Sequence, residues 1–175
     1  APADLESVEV FEIPFDRKGG REAIEERGLA ANADFTASLS GRPAYDMVYE
    51  RYSLWGQAGM EFARGAGLPG ILEVNAPLVE EQATHRTLVH RDEAEAIATR
   101  VFSLASGVVA VSSDAREYVC ANGGAPERVH VIPNGVDTAM WQPASLAAAA
   151  SPDLQELRQR FAGRRVFLYM GRVAT

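Results

Sequence analysis

Ile71-Leu72-Glu73-Val74 and Val108-Val109-Ala110-Val111 are two short, mainly apolar runs, and the chain between them decides the fold. Each run has the length and the branched residues of a buried strand. The apolar residues between the runs repeat at helical spacing and mark one face of a helix: Ala94, Ile97, Val101, Leu104 and Ala105. A strand, a helix and a second strand in this order are typical of a parallel sheet.

The connection between the two runs is predicted to be one long helix from Pro77 to Gly107. Proline suits the first helical position, because its missing N–H would have no partner there. Glu80 and Glu81 fall in the first turn, where the helix dipole favours negative charge. After the second run, Ser112 begins a polar stretch that is predicted to cap the next helix.

The same alternation of strands and helices extends in both directions. Helices are predicted from Arg21 to Leu39, with a break near Gly28, and from Leu54 to Ala66. Further strands are predicted at Val8–Ile13 (an edge strand), Tyr45–Tyr49, Val129–Ile132 and Val166–Met170 (buried on both faces). The chain is therefore predicted to be an α/β protein with a doubly wound, Rossmann-like parallel sheet and flanking helices.

The composition of the chain changes after Asp137, where a proline and an alanine tract predict a connector. We predict a first domain over residues 1–134, incomplete at its start. Residues 135–175 are predicted to form a linker and the first helix-strand unit of a second domain. Because the strand at Val166–Met170 would need a helix after it and strands beside it, the chain is expected to be a fragment of a larger enzyme.

Composition narrows the class of function. The formal net charge is −7, which argues against general binding to nucleic acid or to anionic membranes. Cys120 is the one cysteine, so no intrachain disulfide or cysteine-based metal cluster can form. No apolar stretch reaches membrane-spanning length, and a cytoplasmic location is expected, with peripheral membrane contact left open.

Polar residues follow the predicted strands, at the edge of a parallel sheet where ligands bind. Glu50 and Arg51 are either a structural ion pair or ligand contacts. Asn75 is a helix cap or a binding residue, and Glu81 is a dipole partner or a catalytic residue. Gly171-Arg172 is the strongest functional candidate, because glycine lets the backbone approach a ligand and arginine forks around phosphate.

Several motifs resemble the large family of retaining, GT-B-fold glycosyltransferases, family 4. The motifs are Val131-Ile132-Pro133-Asn134-Gly135-Val136-Asp137, Phe167-Leu168-Tyr169-Met170-Gly171-Arg172, Val108-Val109-Ala110-Val111-Ser112, Tyr49-Glu50-Arg51-Tyr52 and Leu72-Glu73-Val74-Asn75-Ala76-Pro77-Leu78-Val79-Glu80-Glu81-Gln82. The first two resemble the crossing between the two domains of the family. The last two resemble a bacterial subgroup of it.

The resemblance implies transfer of a sugar from a nucleoside diphosphate sugar to an acceptor hydroxyl, with retained configuration and no required metal or other cofactor. It implies that Gly171 and Arg172 contact the donor diphosphate. Pro133, Asn134 and Gly135 would be the interdomain hinge; Glu50, Arg51, Asn75 and Glu81 would line the acceptor side of the cleft. Many family members carry histidine where Asn75 stands, so hydrogen bonding is the role that remains there, and the catalytic residues stay unassigned.

Two alternatives remain open, a sugar-nucleotide epimerase of the same architecture and a noncatalytic binding module. The chain alone is expected to lack glycosyltransferase activity, since one arginine cannot hold a diphosphate tightly in water. The sequence does not identify the donor, the acceptor, the pathway or the oligomeric state.

Overall fold

The structure, a computed structural model, describes residues 8–41, 45–140, 152–167 and 169. The chain divides into two compact units, Ala1–Pro133 and Asn134–Thr175. Almost all regular structure of the described residues lies in the first unit. Within the described ranges, no helix has both the length and the apolar character needed to cross a lipid bilayer.

The first unit is built on a four-stranded parallel sheet. Its strands are β1 (Val48–Arg51), β2 (Gly70–Val74), β3 (Gly107–Ala110) and β4 (Val129–Val131), and they lie side by side in that order. The predicted α/β class and parallel sheet are therefore confirmed. The order runs in sequence, so the described strands show no reversal of the kind that makes a sheet doubly wound.

Five helices accompany the sheet. They are α1 (Arg21–Ser40), α2 (Ala58–Ala66), α3 (Leu78–His85), α4 (Arg91–Leu104) and α5 (Ser113–Ala121), followed by a 3-10 turn at Pro126–Arg128. Helices α2, α4 and α5 contact the strands, while α1 packs on α2 and α3 packs on α4. The Ser112 hydroxyl accepts a hydrogen bond from the backbone N–H of Ala115, which confirms the predicted cap of α5.

The two faces of the sheet differ in burial. On the face toward the helices, Leu72, Val74, Val108 and Ala110 are buried and join a core that includes Phe102. Residues paired across the strands point to the same side. The opposite side is half-buried to exposed, and we call it the open face: Tyr49, Arg51, Ile71, Glu73 and Val109. β2 and β3 are therefore buried on one face only.

Three predicted elements have other boundaries in the structure. β1 begins at Val48, because that residue pairs with Gly70 at the start of β2, so Glu50 and Arg51 lie inside the strand. The edge strand predicted at Val8–Ile13 does not form, since residues 8–18 contain no strand. Helix α1 continues through Gly28, whose missing side chain makes room for the Trp55 ring. That glycine serves close packing and does not break the helix.

The predicted long helix is two helices, and a buried carboxylate explains the break. Glu25 of α1 is 2% exposed. Its Oε2 accepts hydrogen bonds from the backbone N–H groups of Val89 (3.0 Å) and His90 (2.9 Å), directly before α4. Those N–H groups cannot bond to carbonyls four residues earlier, as a continuous helix would require. The partner lies 64 and 65 residues away in sequence, so no local pattern reveals it.

The second unit contains α6 (Pro152–Arg160). The strand predicted at Val166–Met170 is absent from the described part of that segment. The described residues of this segment belong to neither a strand nor a helix, and their side chains are exposed: Val166, Phe167 and Tyr169. A strand of a parallel sheet is covered on both faces, and the exposure of these side chains is opposite to that expectation.

Candidate functional site

Glu50 holds the first turn of α2. Its position in β1 turns its side chain toward the helices, where the backbone N–H of Met60 donates a hydrogen bond to the carboxylate. Asn32 of α1 supports the same turn, since its Oδ1 accepts from the N–H groups of Gln57 (2.9 Å) and Ala58 (3.1 Å). Two side chains from other elements thus satisfy N–H groups that a helix start leaves without intrahelical partners.

The Glu50 carboxylate is only partly satisfied. Burial raises the pKa of Glu50, and the hydrogen bond from Met60 opposes that rise. Its Oε2 is buried and has no hydrogen-bond partner among the described residues. Gly59 packs so closely against this carboxylate that a methyl group there would overlap it. A buried acceptor without a donor is uncommon in folded proteins and marks a place where a ligand hydroxyl could bind.

A small cavity of about 210 Å³ adjoins Glu50 between α1, β1 and α2. Its lining is mainly apolar with a few polar groups, which is the composition of small-molecule sites. The lining residues are Asn32, Phe35, Leu39, Val48, Tyr49, Glu50, Ser53, Gly56, Ala58 and Gly59. We call it the Glu50 cavity.

A second group of polar side chains lies on the open face and centres on Glu73 of β2. Asn75 donates a hydrogen bond from Nδ2 to Glu73 Oε1 (2.5 Å), and the Tyr49 hydroxyl donates to Oε2 (2.7 Å). The Arg51 guanidinium lies 3.8 Å from Oε1. These donors, first Asn75 and then Tyr49, lower the pKa of Glu73; the same contact raises the pKa of Tyr49. We call this group the Glu73 cluster.

The structure therefore separates two residues that the sequence places together. Glu50 and Arg51 are neighbours in β1 and point to opposite faces, so the alternative of an ion pair between them is wrong. Arg51 instead forms an ion pair with Glu73, which also accepts a hydrogen bond from Asn75. Asn75 is not the cap of α3, because Pro77 holds that position and Asn75 bonds to Glu73.

Glu81 lies where the sequence predicts it, in the first turn of α3, and its side chain is exposed. Pro133 ends the first unit, and Asn134 and Gly135 begin the second. Gly135 does not adopt a positive φ. Gly171 and Arg172, predicted to bind the donor, fall outside the described residues.

Buried Tyr52, directly after β1, and half-buried Tyr118 of α5 form a further polar pair. The hydroxyl oxygens of Tyr52 and Tyr118 are 3.3 Å apart, and both rings pack against Phe102. Burial raises the pKa of both tyrosines, and the nearby Glu80 carboxylate adds to the effect. Both hydroxyls therefore stay protonated and can donate hydrogen bonds.

Sequence reasoning missed Glu73, Tyr49 and Asn32 as members of these groups. Glu73 had a visible signal, since it is the one charged residue in an apolar strand. Asn32 had none, because its role depends on the packing of α1 against α2.

Comparison with known proteins agrees with this architecture. The chain matches Glycosyltransferase Family 4 over residues 25–140, which include the whole sheet, the Glu50 cavity and the Glu73 cluster. It is 30% identical over 118 residues to D-inositol 3-phosphate glycosyltransferase 1 of Catenulispora acidiphila. That match covers 63% of this chain and 27% of the relative, so the chain spans about a quarter of the relative's length. Because the family match extends over more than half of its residues, the chain belongs to the family 4 glycosyltransferases.

Proposed function

We propose that this chain is the acceptor-side part of an enzyme that transfers a sugar from a nucleoside diphosphate sugar to an acceptor hydroxyl, with retained configuration. Family membership supports glycosyl transfer. In this proposal residues 1–134 bind the acceptor, and residues 135–175 begin the donor-binding domain. Pro133, Asn134 and Gly135 form the hinge, and Gly171 and Arg172 contact the donor diphosphate.

The observation that carries the proposal is the state of Glu50. Its carboxylate is largely removed from water, borders a small cavity and has one oxygen without a partner. A hydroxyl group of an acceptor is the natural partner, because it donates one hydrogen bond and adds no charge to the site. The apolar lining would pack against the carbon frame of the acceptor.

The reaction makes clear why such a contact is useful. The acceptor oxygen forms a bond to the anomeric carbon, the bond from that carbon to the diphosphate breaks, and the hydroxyl loses its proton. Holding the hydroxyl in one orientation brings much of the benefit of proximity. Glu50 is proposed as this positioning contact, and Arg51, Asn75 and Glu81 as further acceptor-side residues. The base that takes the proton stays unassigned.

The name of the Catenulispora relative suggests the first acceptor to try. That name gives D-inositol 3-phosphate as the substrate of the relative. We propose a polyhydroxylated ring of this chemical class as the acceptor, with ring hydroxyls directed to Glu50.

The test is a titration of the purified 175-residue chain with D-inositol 3-phosphate, followed by amide chemical shifts. We expect the largest shifts at Gly56 and Gly59, which line the Glu50 cavity. Glu50→Gln should weaken binding about tenfold, the factor that 1.4 kcal/mol of lost hydrogen bonding produces. Glu117→Gln, an exposed carboxylate on α5, is the matched control and should leave binding unchanged.

Shifts confined to other parts of the chain, or equal affinities for Glu50→Gln and Glu117→Gln, would contradict the Glu50 assignment. Activity is tested separately with a panel of sugar nucleotides. The chain alone is expected to show no turnover, and a new glycosidic bond would overturn that expectation. An isomerised sugar nucleotide without a new glycosidic bond would overturn the proposal of glycosyl transfer.

A further inference from the structure

Three side chains with metal-binding atoms meet where α1 passes the start of α4. Glu22 and Glu26 stand one turn apart on α1, so their carboxylates share a face of the helix. His90 immediately precedes α4. One potential ligand atom from each of the three lies within 4.8 Å of the other two. Imidazole nitrogens and carboxylate oxygens both bind zinc in proteins.

The imidazole of His90 has a nitrogen in need of a partner. Its Nε2 is buried and makes no hydrogen bond to any described residue. On the other side of the ring, Nδ1 lies 3.8 Å from Glu93 Oε1. That separation is too long for a hydrogen bond. Nε2 is the ring nitrogen that is shielded from water and still lacks a partner, and it is therefore the one we assign to a ligand.

A second buried group at the same place is also incompletely satisfied. Glu25 lies between Glu22 and Glu26 in sequence, and its Oε2 binds the backbone N–H of His90 at 2.9 Å. Its Oε1 is buried and has no hydrogen-bond partner among the described residues. With Glu93, four carboxylates therefore lie near His90. A divalent cation would offset this local negative charge.

We propose that Glu22, Glu26 and His90 bind one divalent zinc-type ion, with Nε2 as the nitrogen ligand and water in the fourth position. The mixed nitrogen and oxygen ligands favour zinc or cobalt over magnesium and calcium, which prefer oxygen ligands alone. Ligand atoms around zinc are about 3.4 Å apart, given bond lengths near 2.1 Å. Glu22 and Glu26 are exposed and free to close that difference on binding.

The ion would join α1 to the start of α4. None of its ligands lines the Glu50 cavity or belongs to the Glu73 cluster. The proposed site is therefore separate from the residues assigned to the proposed glycosyl transfer, for which no metal is expected.

The test uses the untagged chain after removal of metal with a chelator. Calorimetric titration with zinc chloride should show one equivalent bound. His90→Gln and Glu22→Gln should each weaken binding at least about tenfold, since loss of even a group that hydrogen-bonds to a metal ligand has an effect of that size. The matched controls are His85→Gln and Glu117→Gln, an exposed histidine and an exposed carboxylate outside the group, and both should bind like the parent.

Two further measurements guard against loss of folding in the His90 variant. Glu22→Gln changes an exposed side chain, so its circular dichroism should match that of the parent. On addition of zinc to the parent, the ring resonances of His90 should shift while those of His85 and His130 stay in place. Equal shifts of all three histidines, undetectable binding, or the same affinity in Glu22→Gln and Glu117→Gln would each overturn the site.

Discussion

Glu50 and Glu73 are the same residue type on neighbouring strands of one sheet, and they differ in almost every physical respect. Glu50 faces the helices, and burial raises its pKa. Glu73 faces the open side, where Asn75 and Tyr49 donate to both of its oxygens and lower its pKa. One carboxylate has an oxygen without a donor, and the other has donors on each oxygen.

The difference shows that the pleat of a strand assigns the chemistry of its charged residues. In β1 the same alternation turns Glu50 inward and Arg51 outward, so adjacent charges belong to separate sites. The inward site offers an unsatisfied acceptor to a ligand. The outward site is a closed network of donors around a carboxylate. Three substitutions test this contrast, in order of expected effect.

Gly59→Ala should have the largest effect. The added methyl group would overlap the Glu50 carboxylate, whose carbon lies 3.0 Å from the new atom. Overpacking of this kind costs about 1–3 kcal/mol, more than the gain in helix propensity. Urea unfolding measures the change. Gly65→Ala in the same helix is the control; nothing lies within 4 Å of its new methyl group, so it should stabilise the chain by up to about 1 kcal/mol. Equal effects at the two glycines would show that Glu50 is not confined.

Glu50→Gln should stabilise the fold at neutral pH by about 1 kcal/mol, within the usual range for a favourable substitution. Burial raises the pKa of Glu50, so the folded chain holds that proton more tightly than the unfolded chain does. The stability of the parent therefore falls as pH rises from the ordinary glutamate pKa through the raised value. Unfolding free energies measured from about pH 3 to 8 should coincide at the acid end and separate above it. A parent that is the more stable at neutral pH would show that the Met60 hydrogen bond outweighs the cost of burial.

Glu73→Gln should destabilise the fold, the opposite of Glu50→Gln, and by a smaller amount. The pKa of Glu73 is lowered, so its contribution to stability is present above the ordinary glutamate pKa and is lost as pH falls through the lowered value. Because the cluster faces solvent, the loss in the variant should stay below about 1 kcal/mol near neutral pH and vanish in acid. The same pH series measures it. Arg51→Ala, which removes the longest contact of the cluster, should change stability still less; a larger loss there would mean that the ion pair, and not the hydrogen bonds, holds Glu73.

The parallel sheet was predictable because its signals are local. Short apolar runs such as Ile71–Val74, helical spacing over Ala94–Ala105 and a serine cap at Ser112 each identify an element without knowledge of its neighbours. Boundaries that depend on distant residues were not predictable. β1 begins at Val48, which pairs with Gly70. α4 begins directly after Val89 and His90, whose backbone N–H groups bond to the Glu25 side chain of α1.

The candidate site shows the same limit. A charged pair directly after a predicted strand drew attention to Glu50 and Arg51, and both belong to polar groups in the structure. Their partners could not be read from the chain, because Met60 reaches Glu50 through packing and Glu73 reaches Arg51 through strand register. Residue types thus identified candidate positions, and the fold decided which of them meet.

Helix α1 has a consequence for the design of shortened chains. It carries one fully buried side chain, yet that carboxylate sets the first residue of α4 and the Asn32 amide sets the first residue of α2. Helix α1 thus determines where both α2 and α4 begin. A truncation that removes Glu25 and Asn32 would release both of these starts at once, although most of α1 lies on the periphery of the first unit.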